Sequence, residues 1–269
     1  MDEIILVDKP GGMTSFGVVA RVRRRLSERA GRKVKVGHTG TLDPFATGLL
    51  ILLSGKSTKR AGEFLKLDKV YEAAVRLGAV SSTGDVEGEI SYSAELSEPT
   101  LSEPSSARRN QNYIISPDED FGASKQANHP KSSNGADVIL TGGPKCSDKV
   151  GFREFSDVQR VVKAFVGEIE QRVPMYSAVK IGGERAYRLA RRGVEVEMPV
   201  RKVEIYSIEI LRYEWPELVI RTHVSSGTYI RALAQDIGEA LGVGGYLTEL
   251  RRIKVGNYEI RDAKTIEEV

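Results

Sequence analysis

The sequence predicts an α+β domain with a mainly antiparallel sheet and flanking helices. Three observations carry that expectation. Stretches such as Val70 to Leu77 and Val203 to Arg212 alternate apolar and polar residues with the two-residue period of a strand. Helical patterns stand singly among these strands instead of alternating strictly with them, which disfavours a parallel α/β sheet. At 269 residues and 40% hydrophobic, the chain has enough apolar surface for a substantial core.

The elements follow in order. Ile4 to Val7 reads as a short buried strand, and Lys9-Pro10-Gly11-Gly12 as the turn that leaves it. Thr14 or Ser15 can cap a helix whose apolar residues Val18, Val19, Val22 and Leu26 share one face, with Gly31 as its stop. After the strand at Val70 to Leu77, Ser156 with Gln159 three residues on forms a capping-box signature ahead of Val158, Val161, Val162 and Phe165. Glu184 to Arg192 reads as a short basic helix, Val203 to Arg212 and Leu218 to Val224 as strands, and Tyr229 to Leu241 as a helix ending at Gly242.

Between the two halves, residues 94–155 carry five of the ten prolines, nine serines and nine acidic against seven basic residues, with no sustained period. Such a stretch reads as a long, largely disordered insertion within a single domain. Its charge of −2 leaves +5 on the remainder, from a total of +3, so the folded part is the more basic one. That balance suits a polyanionic partner. The longest apolar run, Leu49 to Leu53, is too short to span a bilayer, and Met1-Asp2-Glu3 begins nothing like a secretory signal, so a cytoplasmic protein without membrane contact is expected. One cysteine, Cys146, and three scattered histidines exclude a disulfide framework and the usual zinc spacings.

Gly37-His38-Thr39-Gly40-Thr41-Leu42-Asp43-Pro44-Phe45-Ala46-Thr47-Gly48-Leu49-Leu50 is the densest informative segment. Three glycines, three threonines and a proline around one acid describe a tightly specified loop that leads into an apolar strand. It places the carboxylate of Asp43 at the edge of a buried sheet. Taken alone, an Asp-Pro pair reads more readily as an Asx turn than as a reactive acid.

The segment resembles the catalytic loop of the TruB family of tRNA pseudouridine-55 synthases, and further motifs follow in the family's order. Lys9 to Ser15 resembles its N-terminal motif, and Lys69-Val70-Tyr71 with Leu77-Gly78 its tyrosine-bearing strand. Val173-Pro174-Met175-Tyr176-Ser177-Ala178-Val179-Lys180, Ser226-Gly227-Thr228-Tyr229-Ile230-Arg231 and Leu250-Arg251-Arg252 resemble later blocks. The resemblance implies the pseudouridine synthase catalytic fold and isomerisation of uridine 55 in the T loop of tRNA. It gives Asp43 the role of catalytic aspartate, Arg231 that of its cationic partner, and Tyr71 that of a base-stacking residue able to take the C5 proton.

By the same resemblance Tyr229 packs beneath the base, Leu250 closes the pocket and His38 fills the space left by the flipped uridine. Lys9 and Lys180 join them as substrate-binding residues. No metal or other cofactor is implied; the expected partner is the T stem-loop of tRNA, and the expected state a monomer without an obligate protein partner. Phosphate contacts are expected among Arg21, Arg23, Arg24, Arg25, Lys33, Lys35, Lys180, Arg188, Arg191, Arg192, Arg251 and Arg252.

Two departures from the family pattern stand out. The insertion, which holds His129 and Cys146, is longer than the family's connection. The 17 residues after Arg252 are too few for the PUA-like C-terminal domain of many relatives, so none is expected. Two rival readings are weaker. A binder that only refolds tRNA would not need Asp43, Tyr71 and Arg231 together, and Lys9 to Ser15 lacks the residue order of a Walker phosphate loop.

Overall fold

The structure is a computed structural model that describes residues 2–92 and 154–269. The proposed insertion, with His129 and Cys146, lies outside the described residues except for its last two positions. Those two are Glu154, the residue before a helix, and Phe155, with which that helix begins.

Among the described residues, the main sheet has nine strands. Seven run in the order β1 (Ile4–Lys9), β3 (Thr47–Ser54), β12 (Gly245–Val255), β4 (Lys69–Leu77), β11 (Glu217–Val224), β10 (Val200–Glu214) and β7 (Gly167–Arg172). β2 (Val36–His38) adds to β3, and β13 (Tyr258–Glu259) to β12. Every pairing is antiparallel except β3 with β12, in agreement with the expected fold class. Small two-stranded ribbons form from β5 (Ala79–Ser81) with β6 (Ile90–Tyr92), and β8 (Lys180–Ile181) with β9 (Glu184–Arg185).

Helix α1 (Ser15–Ala30) starts and stops as its sequence dictates. The Thr14 side chain accepts the Gly17 N–H at 3.0 Å, and Gly31 at φ 60° gives the left-handed exit. Its face of Val18, Val19, Val22 and Leu26 packs on Val7, Leu50 and Leu52. A short α2 (Ala61–Leu65) covers the opposite face of β3 through Phe64, which meets Leu49, Ile51 and Leu53. α3 (Phe155–Ala164) and α5 (Ile230–Ala240) bury Val158, Val162, Leu233 and Ile237 against Ala73, Val75, Leu218 and Ile220.

Two local expectations are corrected. Ser156 is not a cap: α3 has already begun, with Phe155 packed near Tyr213 at 6.3 Å between ring centres and Glu154 providing no side-chain capping bond. Glu184 to Arg192 is not wholly helical. Gly182 and Gly183, at φ 56° and 89°, form the two-residue turn of the β8–β9 hairpin, and only Ala186–Arg191 (α4) is helical.

Register shows how the sheet sets up a site. Partners directly across neighbouring strands share a face. Lys9 faces Gly48, Gly48 faces Arg252, Arg252 faces Tyr71 and Tyr71 faces Thr222, so these five residues make one row across the sheet. On one side of the row β1 and β3 carry Val7, Leu50 and Leu52 beneath α1. On the other, β4 and β11 carry Ala73, Val75 and Ile220 beneath α3 and α5. The row is thus a polar seam between two apolar clusters, and the first turns of α1 and α5 both open onto it.

Candidate active site

The loop between β2 and β3 crosses the seam and is held at nearly every residue. The Thr39 N–H donates to Ile51 O at 3.0 Å. The Gly40 carbonyl accepts from an Arg252 guanidinium nitrogen at 3.2 Å, and Arg252 Nε also donates to Leu49 O at 2.8 Å. Ser15 Oγ accepts the Leu42 N–H at 2.8 Å and donates to the Leu42 carbonyl at 2.9 Å. Pro44 O accepts from Lys9 Nζ at 3.1 Å and from the Gly12 N–H at 2.9 Å. Asp43 is bracketed by these contacts, and its side chain stays one-third exposed, 33%, at the mouth of the seam.

Gly48 makes this arrangement possible. It has φ 100°, and a Cβ there would lie 2.3 Å from the backbone oxygen of Arg252, so only glycine lets β3 and β12 approach.

Arg231, in the first turn of α5, is almost wholly buried and reaches the same point. Its Nε lies 3.0 Å from Asp43 Oδ2, and one terminal nitrogen lies 3.5 Å from Asp85 Oδ2. The guanidinium also donates to Thr83 O at 2.9 Å and Tyr176 O at 2.8 Å. One arginine therefore bridges two carboxylates and two carbonyls, which fixes its plane. Burial pushes the Asp43 carboxyl above the ordinary aspartate range; Arg231 opposes the rise and the charge of Asp85 adds to it.

Asp85 was not singled out from the sequence. It is buried at the end of a turn, where the Thr83 hydroxyl and the Glu87 N–H both donate to its Oδ1. The signal available was Thr83-Gly84-Asp85, with Gly84 at φ 78°, a turn cluster like many others.

The remaining candidates fall around this pair. Tyr71 stands on the row beside Arg252 and is buried in the main core cluster. Leu250 lies two residues from Arg252 on the same strand, paired with Ala73, and is buried. Tyr229 immediately precedes α5, and its backbone is clamped by Gln171, a buried residue that sequence reasoning missed: Oε1 accepts the Tyr229 N–H at 2.7 Å, and Nε2 donates to Tyr229 O at 3.1 Å. His38 ends β2, where its Nδ1 accepts the Gly40 N–H at 3.4 Å. Burial, then the charge of Arg252, lowers its pKa and favours the neutral ring. Lys180 is exposed on the β8–β9 hairpin, whose residues Val179 and Ile181 share a small cluster with Tyr229.

Two expected substrate contacts are corrected. Lys9 is fully buried, with Nζ donating to Pro10 O at 2.8 Å, Met13 O at 2.6 Å and Pro44 O at 3.1 Å. All three of its donors go to the backbone, so it braces the loop instead of meeting substrate, and desolvation brings its pKa down to about 8. Arg252 is likewise buried and committed to Leu49 and Gly40, so it cannot reach a phosphate. The alternation of β12 sends the two arginines to opposite faces, and Arg251 pairs with Asp8 at 2.7 Å.

The comparisons bear on the family and the fold. A sequence model of the TruB family pseudouridylate synthase N-terminal domain matches residues 23–115 and 143–230, and one of the tRNA pseudouridylate synthase B C-terminal domain matches 231–269. The chain is 37% identical over 266 residues to a tRNA pseudouridine synthase B of Aromatoleum aromaticum, covering 99% of this chain and 67% of that protein. It is 38% identical over 267 residues to that of Chlorobium phaeovibrioides, covering 99% and 88%. Among solved structures it superposes on a chain from a Cbf5-Nop10-Gar1 complex with a TM-score of 0.57 and 26% identity, over 95% of this chain and 49% of that one. The chain thus spans about half the length of that solved chain. No helix of the described residues is long and apolar enough to cross a membrane.

Proposed function

The chain belongs to the TruB family, the tRNA pseudouridine synthases B, which are isomerases, and from that premise we propose that it converts uridine 55 in the T loop of tRNA to pseudouridine. The observation that carries the proposal is the carboxylate of Asp43, held 3.0 Å from a buried, fully engaged Arg231 above a sheet row that contains Tyr71. The reaction breaks the bond from C1′ to N1, turns the uracil, forms a bond from C1′ to C5, removes the C5 proton and returns a proton to N1. Atoms balance without oxidant, reductant or energy source. One anionic oxygen able to attack or abstract, and one group able to receive the C5 proton, suffice.

In this reading Asp43 supplies the anion, and Arg231 keeps it oriented and ionised in a partly desolvated place. The target base lies inside a folded loop and is flipped out to reach the acid. Tyr71 stacks on it, Tyr229 and Leu250 line the pocket, and neutral His38 occupies the space left in the loop. Lys180 and the exposed arginines of α4 meet the RNA backbone. The protein works as a single domain with tRNA as its partner and needs no cofactor.

The test is release of tritium from C5-labelled uridine in a tRNA transcript, with mapping of the product. Pseudouridine at position 55 is expected from the wild-type chain and none from Asp43→Asn. Turnover by Asp43→Asn within a few-fold of wild type removes the acid from the reaction. A phosphate-loop role for Lys9 to Ser15 is disfavoured by Lys9 itself, whose ammonium has no donor left for a phosphate.

A further inference from the structure

Phe16 has no role in the fold or in the site described above. It is the second residue of α1 and stands 66% exposed, although the helix already has a complete buried face. An aromatic ring left in water gains nothing for folding. Its immediate neighbour Ser15 is the residue whose hydroxyl grips both the N–H and the carbonyl of Leu42, next to Asp43. Phe16 is therefore next in the chain to a residue that grips the loop of Asp43, at the rim of the seam.

The surroundings of the ring indicate what it meets. α1 carries Arg21, Arg23, Arg24, Arg25 and Arg29 against a single acid, Glu28, and has no acidic residue in its first turn. Spacings of three and four residues put Ala20, Arg23 and Arg24 on the same side of the helix as Phe16. Arg23 lies about 10 Å farther along the axis, at ~1.5 Å per residue, a reach of roughly three nucleotides at about 3.4 Å per phosphate. A flat apolar ring followed by guanidinium groups at strand spacing complements a polyanion with unstacked bases. It does not suit an apolar protein face or a neutral ligand.

We infer that Phe16 is a stacking platform for a nucleotide of the substrate RNA next to the flipped uridine, with Arg23 and Arg24 holding the phosphates that follow it. The inference rests on the proposed function, since it presumes that RNA enters the seam at Asp43. It adds a binding residue on the α1 side, where the pocket residues Tyr71, Tyr229 and Leu250 do not reach.

The experiment uses the full chain and a T-arm hairpin carrying 2-aminopurine beside the target uridine. Phe16→Ala should weaken hairpin binding about tenfold or more, the loss expected when one base–aromatic stack is removed. It should also abolish the quenching of 2-aminopurine, while turnover at saturating RNA and the melting temperature stay near wild type. Phe16→Trp should bind within about twofold of wild type, and Phe16→Leu should behave like the alanine variant. Arg23→Gln and Arg24→Gln should each reduce the salt dependence of binding by roughly one counterion.

Unchanged affinity in Phe16→Ala, or full rescue by leucine, overturns the stacking role. These outcomes are separable from failure of the functional reading, in which the wild-type chain itself neither modifies nor binds the hairpin.

Discussion

Replacing Arg231 with lysine keeps a positive charge at the seam and removes the geometry. The native guanidinium serves four acceptors in different directions, Asp43, Asp85, Thr83 O and Tyr176 O, at 3.0, 3.5, 2.9 and 2.8 Å. An ammonium is a single point with three donors and cannot occupy both the Nε position beside Asp43 and the terminal positions. Breaking a buried ion pair costs about 3–5 kcal/mol. Because the Asp43 side chain is 33% exposed, water recovers part of that, leaving roughly 2–3 kcal/mol.

At 1.36 kcal/mol per tenfold in rate, that loss corresponds to about 30- to 160-fold in kcat. The affinity for tRNA should change less than about threefold, because a guanidinium this deeply buried presents almost no surface to RNA. Single-turnover tritium release gives the first quantity and filter binding the second. A rate within fivefold of wild type, or losses of equal size in rate and affinity, would refute the reasoning and make Arg231 an RNA contact.

Four further substitutions follow from the same geometry. Asp43→Asn should lose turnover by at least about a thousandfold with tRNA affinity within threefold. Since burial raises the native pKa of Asp43 above its unfolded value, the charged acid costs stability as pH rises through that window, so calorimetry near neutrality should show an unchanged or higher Tm. The acid limb of the wild-type kcat profile should accordingly lie above the ordinary aspartate range, and Asp85→Asn should shift it downward by removing a charge that raises it. Gly48→Ala puts a methyl 2.3 Å from a backbone oxygen at φ 100°, so the purified variant should melt at least about 3 kcal/mol less stable, if it folds at all; a Tm within two degrees of wild type contradicts the close approach of β3 and β12. Lys9→Met takes their Lys9 donor from the Pro10 and Met13 carbonyls, while Pro44 O keeps the Gly12 N–H, and should lower Tm by about 5–15 °C. From pH about 8 to 10.5 the unfolded chain keeps the Lys9 proton that the native chain has lost, so stability from this group rises with pH, and titrating the melts of both proteins should show the rise in wild type alone.

Much of the arrangement was legible in the sequence where local chemistry decides it. Thr14 and Gly31 bound α1 because a cap and a left-handed exit are properties of single residues. The loop around Asp43 announced itself through its glycines and Asp-Pro, whereas Tyr71 and Arg231 were named as its companions by the resemblance to the TruB family and not by their residue types. Asp85 stayed hidden because its importance comes from sheet order: β4 sits two strands from β3, and the turn that follows β4 comes back to the seam. Lys9 and Arg252 were misread for the opposite reason. A lysine in a Gly-Pro turn and an arginine in a Leu-Arg-Arg run look like surface charges until register puts both on the covered face of one row. At the β8–β9 hairpin the two glycines were visible, but the basic residues around them suggested a helix that starts only at Ala186.

The corrected lysine and arginine bear on how the site divides its charges. Lys9 and Arg252 direct their hydrogen bonds to carbonyls, at both ends of the loop that holds Asp43, whereas Arg231 has two carboxylates within reach. A buried cation bonded to carbonyls orders the chain around it and still projects positive potential, as the lowered pKa of His38 beside Arg252 records. Such a cation is withdrawn from a phosphate, because it is buried and leaving its carbonyls bare would cost about 1–3 kcal/mol apiece. Under the proposed function, recognition of the RNA backbone falls to cations on the surface, among them the arginines of α1 and Arg188 and Arg191 of α4. Binding and chemistry are therefore assigned to different charges. The buried set fixes one carboxylate to within a hydrogen-bond length, and the exposed set can exchange partners along an RNA strand without disturbing it.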